Sequence, residues 1–262
     1  MLMKVIFFFF KYVFALAASV YLFIFGFIFG KHRNLILEIC RHFGFFPGRV
    51  KPIIPCVPFA SIMDENAPIY LSRITLDRES MNCNEVVSII YLLKKINPKK
   101  VFELGTFNGL TTLNMAINTA ADAVVYTIDL PQAMIGDVKL QLEMSDKNYI
   151  RKAESGRLFK GKSYAKKIVQ LFGDTAQYDF SQFYGTIDMV FIDASHSYEY
   201  VKNDSLIALK LLRGKKGLIL WHDYGGSWDG VTKALNELYT SDPDFKNIQH
   251  IENTAFAYLI RD

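Results

Sequence analysis

The chain has 262 residues, enough for one sizeable domain and an appendage. Its net charge of +4 is unevenly placed: residues 1–60 hold seven Lys or Arg against the single acid Glu38, so the rest of the chain sums to −2. A nucleic-acid binder gathers its basic residues on the folded domain, and no such cluster occurs here, which excludes nucleic acid as a partner. Cys40, Cys56 and Cys83 lie far apart without metal-ligand spacing and read as free thiols of a reducing compartment.

The first element is apolar. Tyr12 to Gly30 runs 19 residues without a charge and ends at Lys31-His32-Arg33. As a helix it would span roughly 28 Å, about the thickness of a bilayer core. Val5 to Phe10 extends the run upstream, and Lys11 can reach the interface from inside it. The run is long for a signal peptide, no small-residue cleavage site follows it, and a core helix would keep a polar face. Residues 1–33 are therefore expected to be a single-pass transmembrane anchor. Lys31, Arg33, Arg41, Arg49 and Lys51 outnumber Lys4 and Lys11, so the positive-inside rule places the C-terminal domain in the cytoplasm. Residues 34–46 carry Leu35, Ile36, Ile39 and Phe43 at near-helical spacing, the pattern of an interfacial segment. Pro47, Pro52, Pro55 and Pro58 then mark a linker, so residues 34–60 read as juxtamembrane chain and 61–262 as the folded domain.

Within that domain Asn82–Ile96 has helical periodicity and stops at Asn97-Pro98. Val101–Leu104 reads as a buried strand, Leu110–Thr119 as a helix, and Val124–Ile128 as a strand ending at Asp129. Residues 132–165 are polar; they are expected to hold a helix and a loop that shape an acceptor site. Strands are expected at 168–172, 187–192 and 217–221, with helices at 198–212 and 230–239 between and after them. Two final strands are expected at 245–251 and 255–260. This alternation predicts a Rossmann-like, doubly wound, mostly parallel seven-stranded α/β sheet. The polar residues that stand out fall at the carboxyl ends of strands, where open α/β sheets bind ligands.

Two constellations carry chemistry. The first is Glu103-x-Gly105-x-x-x-Gly109, between a strand and a helix, followed by Asp129 at the end of the next strand. Glycines there allow close backbone approach. Glu103 would repel a pyrophosphate and attract a ligand bearing an ammonium and a sulfonium. Asp129 stands where a carboxylate takes two ribose hydroxyls. The second is Asp193, His196, His222 and Asp223, at the ends of two strands expected to be neighbours. Such a set can hold a divalent metal or supply a histidine base to a hydroxyl.

Val101–Gly109, Tyr126–Pro131, Gly173-Asp174, Phe191–Glu199, Trp221–Tyr224 and Gly230-Val231 resemble the class I methyltransferases that use S-adenosylmethionine (SAM), nearest the macrocin-type sugar O-methyltransferases. The resemblance covers about residues 80–260. It implies that Glu103, Gly105, Thr106 and Gly109 line the methionine end of SAM, that Asp129 holds the ribose, and that Asp174 with Thr175 lies near the adenine. It also implies Mg²⁺ on Asp193 and Asp223, although Ser195 and His222 stand where metal-using relatives often carry acids. The catalytic candidates are His196, His222 and Asp193. The expected reaction is O-methylation of a sugar or related small-molecule hydroxyl, with a glycolipid acceptor suggested by the anchor. A nucleotide-dependent oxidoreductase and a membrane-tethered, non-catalytic scaffold are the alternatives. The sequence leaves the oligomeric state open.

Overall fold

The computed structural model describes the chain except residues 1, 27, 30, 31, 34, 37, 38, 41–48, 64, 65, 73–80, 152, 153 and 262. Two compact units result, Met1–Arg49 and Val50–Asp262. In the first, helix α1 spans Leu2–Phe25, and its Phe8–Phe25 stretch is long and apolar enough to cross a membrane, with no buried side chains. The helix begins earlier than the uncharged run, because Val5–Phe10 joins it across Lys11, and it closes where the Gly26 amide donates to the Leu22 carbonyl at 2.8 Å. Most of the expected interfacial segment 34–46 lies outside the described residues.

In the second unit the elements in chain order are β1 (Cys56–Val57), α2 (Cys83–Ile96), β2 (Lys100–Leu104), α3 (Leu110–Asn118), β3 (Val124–Asp129), α4 (Asp146–Ile150), β4 (Ile168–Phe172), β5 (Met189–Ile192), α5 (Tyr198–Leu211), β6 (Gly217–Trp221), α6 (Asp229–Ser241), β7 (Gln249–Ile251) and β8 (Ala257–Arg261). They form one sheet of order β1-β7-β8-β6-β5-β2-β3-β4. Strand β8 runs antiparallel to β6 and β7, and the other pairs are parallel. The sheet thus has eight strands, not the expected seven. The extra one is β1, in the proline-rich stretch read as linker. Pro55 and Pro58 flank it, and an edge strand tolerates proline because only one side must pair.

Short central strands, buried on both faces, send alternate side chains into two cores. Phe102, Leu104, Val190, Ile192, Ile219 and Trp221 face one layer with Val201, Ala208 and Leu211 of α5 and Val231, Leu235 and Leu238 of α6. Val101, Val125, Met189, Phe191, Leu218 and Leu220 face the other with Val86, Ile89, Ile90 and Leu93 of α2 and Met115 of α3. The period of two that sends Val101 to the α2–α3 layer sends Glu103 there too. Helix α2 starts with a reciprocal cap: Asn82 accepts from the Glu85 amide at 3.0 Å, and Glu85 accepts from the Asn82 amide at 3.1 Å.

The chain enters this unit along α6. The Val50 amide donates to Asp229 Oδ1 at 3.0 Å, and the Ile53 and Ile54 amides each donate to the Tyr224 hydroxyl at 2.9 Å. That hydroxyl donates to Asn236 Oδ1 at 2.7 Å. One buried phenol therefore fastens residues 53–54 to the sheet domain. Tyr224→Phe leaves both amides without their acceptor and should cost about 1–3 kcal/mol. Thermal unfolding of the full-length protein in detergent checks this, and an unchanged midpoint would show that the strap carries no stability.

Candidate active site

The strand order reverses between β2 and β5, which lie side by side while the chain between them runs outward through β3 and β4. Gly105 sits at this point with φ +98°. A Cβ there would lie 1.9 Å from the Asp193 carbonyl oxygen, so only glycine lets the turns after β2 and β5 meet. The Gly105 amide donates to the Ile128 carbonyl, and the Asp193 amide donates to the Leu104 carbonyl, both at 2.9 Å. Beside them opens a pocket lined in part by Gly105, Ile128, Asp129, Asp174, Asp193 and His196.

The residues expected around the cofactor divide into two groups. Gly105, Asp129, Asp174 and Thr175 line the cavity; Glu103, Thr106 and Gly109 do not. Asp129, at the end of β3, accepts from the Ser155 hydroxyl, which in turn accepts from Gln170 Nε2 at 2.9 Å. Asp174 accepts from the Lys139 and Ala176 amides, Gln177 Nε2 and the Tyr200 hydroxyl at 2.8–2.9 Å. Burial opposes its charge, but these donors outweigh burial and lower its pKa. All four bonds hold the loop, so Asp174 builds the wall. Thr175 hydrogen-bonds Asp204, a fully buried carboxyl pushed up to about 7 by desolvation.

Glu103 turns toward α3. Its Oε2 accepts from Thr127 at 2.5 Å and from Thr112, and Thr106 Oγ1 lies 2.7 Å from Thr127 Oγ1. Desolvation dominates there and pushes the carboxyl up to about 8. Gly109, φ +83°, starts α3 and packs on Phe159.

The second constellation does assemble. His196 Nδ1 donates to Asp146 Oδ1 at 2.5 Å, and its Nε2 lies 2.9 Å from Asp223 Oδ2. The ring stacks on Trp228 with centroids 4.2 Å apart. Asp146 Oδ2 also accepts from the His196 amide and the Ser195 hydroxyl, fixing the whole turn. His222 Nδ1 lies 3.2 Å from both Asp193 Oδ1 and Asp223 Oδ2, and its Nε2 faces Glu85 Oε1 at 3.5 Å, an ion-pair distance without a formed hydrogen bond. Burial disfavours charge on both imidazoles, yet the carboxylates prevail. They raise His196 to about 10 and His222 well above its ordinary value. Asp223 is held far below the usual carboxylate range, chiefly by the His222 charge against the cost of burial.

Ligand atoms of Asp193, His196 and Asp223 lie within 4.8 Å of one another. Two carboxylates and an imidazole are a poor set for Mg²⁺, which favours oxygen. Both nitrogens of His196 already face carboxylates, so a cation would have to displace a proton. The residues present do not fit Mg²⁺.

Residues 102–224 match the model of a methyltransferase domain. Over those residues the chain is similar to a methyltransferase domain, and it shares the fold of solved methyltransferases. Among solved structures it is similar to a putative O-methyltransferase from Klebsiella pneumoniae at 15% identity and TM-score 0.50, covering 71% of this chain and 84% of that one. An SAH-bound methyltransferase from Podospora anserina matches at 16% identity and TM-score 0.51, with 70% and 80% covered. A putative caffeoyl-CoA O-methyltransferase from Staphylococcus aureus matches at 18% and 0.50, with 70% and 85% covered. No curated protein matches the chain.

In this domain, four residues of the site escape sequence reasoning. Asp146 and Ser155 lie in the polar 132–165 stretch, where no periodicity places them. Glu85 reads as half of a capping box, and Trp228 precedes its helix without a motif. A signal existed only for Glu85, a buried acid at the end of a helix that points at the carboxyl edge.

Glu103 supplies a test. Its carboxyl is raised from 4.5 to about 8 in the folded protein. Between those values the folded form keeps a proton that the unfolded form has lost. Its contribution to stability is therefore complete below 4.5 and lost as pH rises through 8. Without ligand, Glu103→Gln should lose less thermal stability than the parent between about pH 5 and about pH 9. Parallel curves for the two proteins would refute the burial of a protonated carboxyl.

Proposed function

We propose that the protein methylates a hydroxyl oxygen of a small-molecule acceptor, a sugar or a related compound. The resemblance of its motifs to macrocin-type sugar enzymes supports a sugar acceptor. The observation that carries this reading is the charge of the cavity. Asp129, Asp146, Asp174 and Asp193 line it, and among the described residues lining it there is no lysine or arginine. That wall favours a cationic nucleoside and opposes the pyrophosphate of a dinucleotide, which speaks against the oxidoreductase alternative.

When bound, SAM supplies an electrophilic methyl group on a sulfonium. Gly105 would let the chain approach it closely, and Asp129 would take its ribose hydroxyls. Once its own proton has left and Nε2 turns from Asp223, His196 removes the acceptor's hydroxyl proton, held in orientation by Asp146 and the Trp228 ring. His222, charged and buried, neutralises Asp193 and Asp223 in place of a metal. The apolar helix α1 anchors the protein in a membrane as a single pass, with the catalytic domain cytoplasmic, and an acceptor carried on a lipid fits that location.

A chelator should leave turnover unchanged. Because His196 is raised to about 10, activity should climb with pH above the ordinary imidazole range near 6.5. Asp146→Asn removes one of the groups that raise it, so the rising limb should move to lower pH. Rate profiles of the two proteins test this. Loss of activity in chelator with recovery on adding Mg²⁺ would overturn the histidine mechanism, and a limb that does not move would remove the Asp146–His196 pair from it.

A further inference from the structure

We infer that Ser155 and Gln170 are positioning residues for the cofactor's ribose, acting through Asp129. The inference rests on the methyltransferase reading above, with Asp129 as the ribose acceptor. It extends that reading to two side chains that do not themselves line the pocket.

A directed chain of hydrogen bonds ends on Asp129. This buried carboxylate closes β3, and its Oδ2 accepts from the Ser155 hydroxyl. Ser155 Oγ accepts in turn from Gln170 Nε2 at 2.9 Å. An amide nitrogen only donates, so the serine oxygen receives on that side and its single proton is directed to the carboxylate. Gln170 stands on β4, on the same face as Ile168, which packs against the α2–α3 core. An apolar side chain would be ordinary there. Instead the strand register sets Gln170 beside Thr127, and Thr127 beside Glu103. A polar row thus crosses three strands on one face, and Asp129, two residues beyond Thr127, continues it toward the carboxyl edge.

Ser155 is also held independently of Asp129. The Gly156 amide donates to the Phe107 carbonyl at 2.9 Å, and the Leu158 amide donates to the Asn108 carbonyl at 3.0 Å. Gly156 has φ +71°, and a Cβ there would lie 2.4 Å from the Phe159 ring and 3.0 Å from Gln170 Nε2. Only glycine lets the turn bring Ser155 in beside Gln170. Phe159 packs in turn on Gly109, at the start of α3.

A serine on a loose loop could occupy Asp129 until a ribose displaced it. A serine held by its neighbours' backbone stays when the ribose arrives. A carboxylate accepts about four hydrogen bonds, so the serine and two ribose hydroxyls can share it. Ser155 therefore sets the orientation of the carboxylate before binding, and the cofactor meets an acceptor already aimed.

The test measures the affinity of the full-length protein in detergent for S-adenosylhomocysteine (SAH), and for an SAH analogue that lacks both ribose hydroxyls. Ser155→Ala should weaken SAH binding about 3- to 10-fold, the worth of one hydrogen bond, and change binding of the analogue less than about twofold. Gln170→Met should act in the same direction. In an Asp129→Ala background, Ser155→Ala should have no further effect, because the group it positions is gone. Equal weakening of both ligands would make Ser155 a merely structural residue and overturn the inference. Unchanged SAH affinity overturns it too, and so does tighter binding, which would make the serine a competitor of the ribose. If only Gln170→Met has no effect, Gln170 is removed from the chain. A parent protein that does not bind SAH refutes the methyltransferase reading and the inference with it. A parent that binds SAH and weakens in Asp129→Ala, but not in Ser155→Ala, refutes the inference alone.

Discussion

The site depends on one close approach. Strands β2 and β5 must meet where the strand order reverses, and the turns that follow them touch through backbone: Gly105 against the carbonyl of Asp193. Any side chain at 105 would push these turns apart, and with them the ends of the two strands that carry the two constellations. The positive φ of Gly105 and the amide bonds of Gly105 and Asp193 to neighbouring strands fix that geometry. The cavity and the acidic cluster are two consequences of the same contact.

The cluster itself is an electrostatic compromise. Glu85, Asp146, Asp193 and Asp223 converge at the carboxyl edge on two imidazoles. Carboxylates this close repel each other unless a cation stands among them. The histidines provide it from within the chain, at the cost of burying charge. Four acids against two cations leave the wall negative, which suits the sulfonium of SAM. Trp228 stacks on one face of the His196 ring and helps to hold its orientation.

Much of this was legible in the sequence, for definite reasons. The alternation of short apolar strands with amphipathic helices identified the sheet, and the ends of β3, β5 and β6 announced Asp129, Asp193, His222 and Asp223. What escaped had no periodic signal. Strand β1 is two residues long between prolines, and its pairing with β7 depends on a contact across some 190 positions of chain. Asp146 reaches His196 across 50 positions from a five-residue helix in a stretch without pattern. Glu103 was read as a cofactor contact from its motif; the alternation of β2 turns its side chain into the α3 layer, where two threonines hold it.

The central claim is that this edge binds a cationic nucleoside. Isothermal titration of the full-length protein with SAM and with NAD, repeated on Asp129→Ala, tests it most directly. The account predicts saturable binding of SAM, none of NAD, and a loss of about 2–3 kcal/mol of SAM affinity in the variant, as ribose hydroxyls lose their partner in a closed site. Binding of NAD in preference to SAM, or SAM affinity unchanged in a folded Asp129→Ala protein, would contradict it.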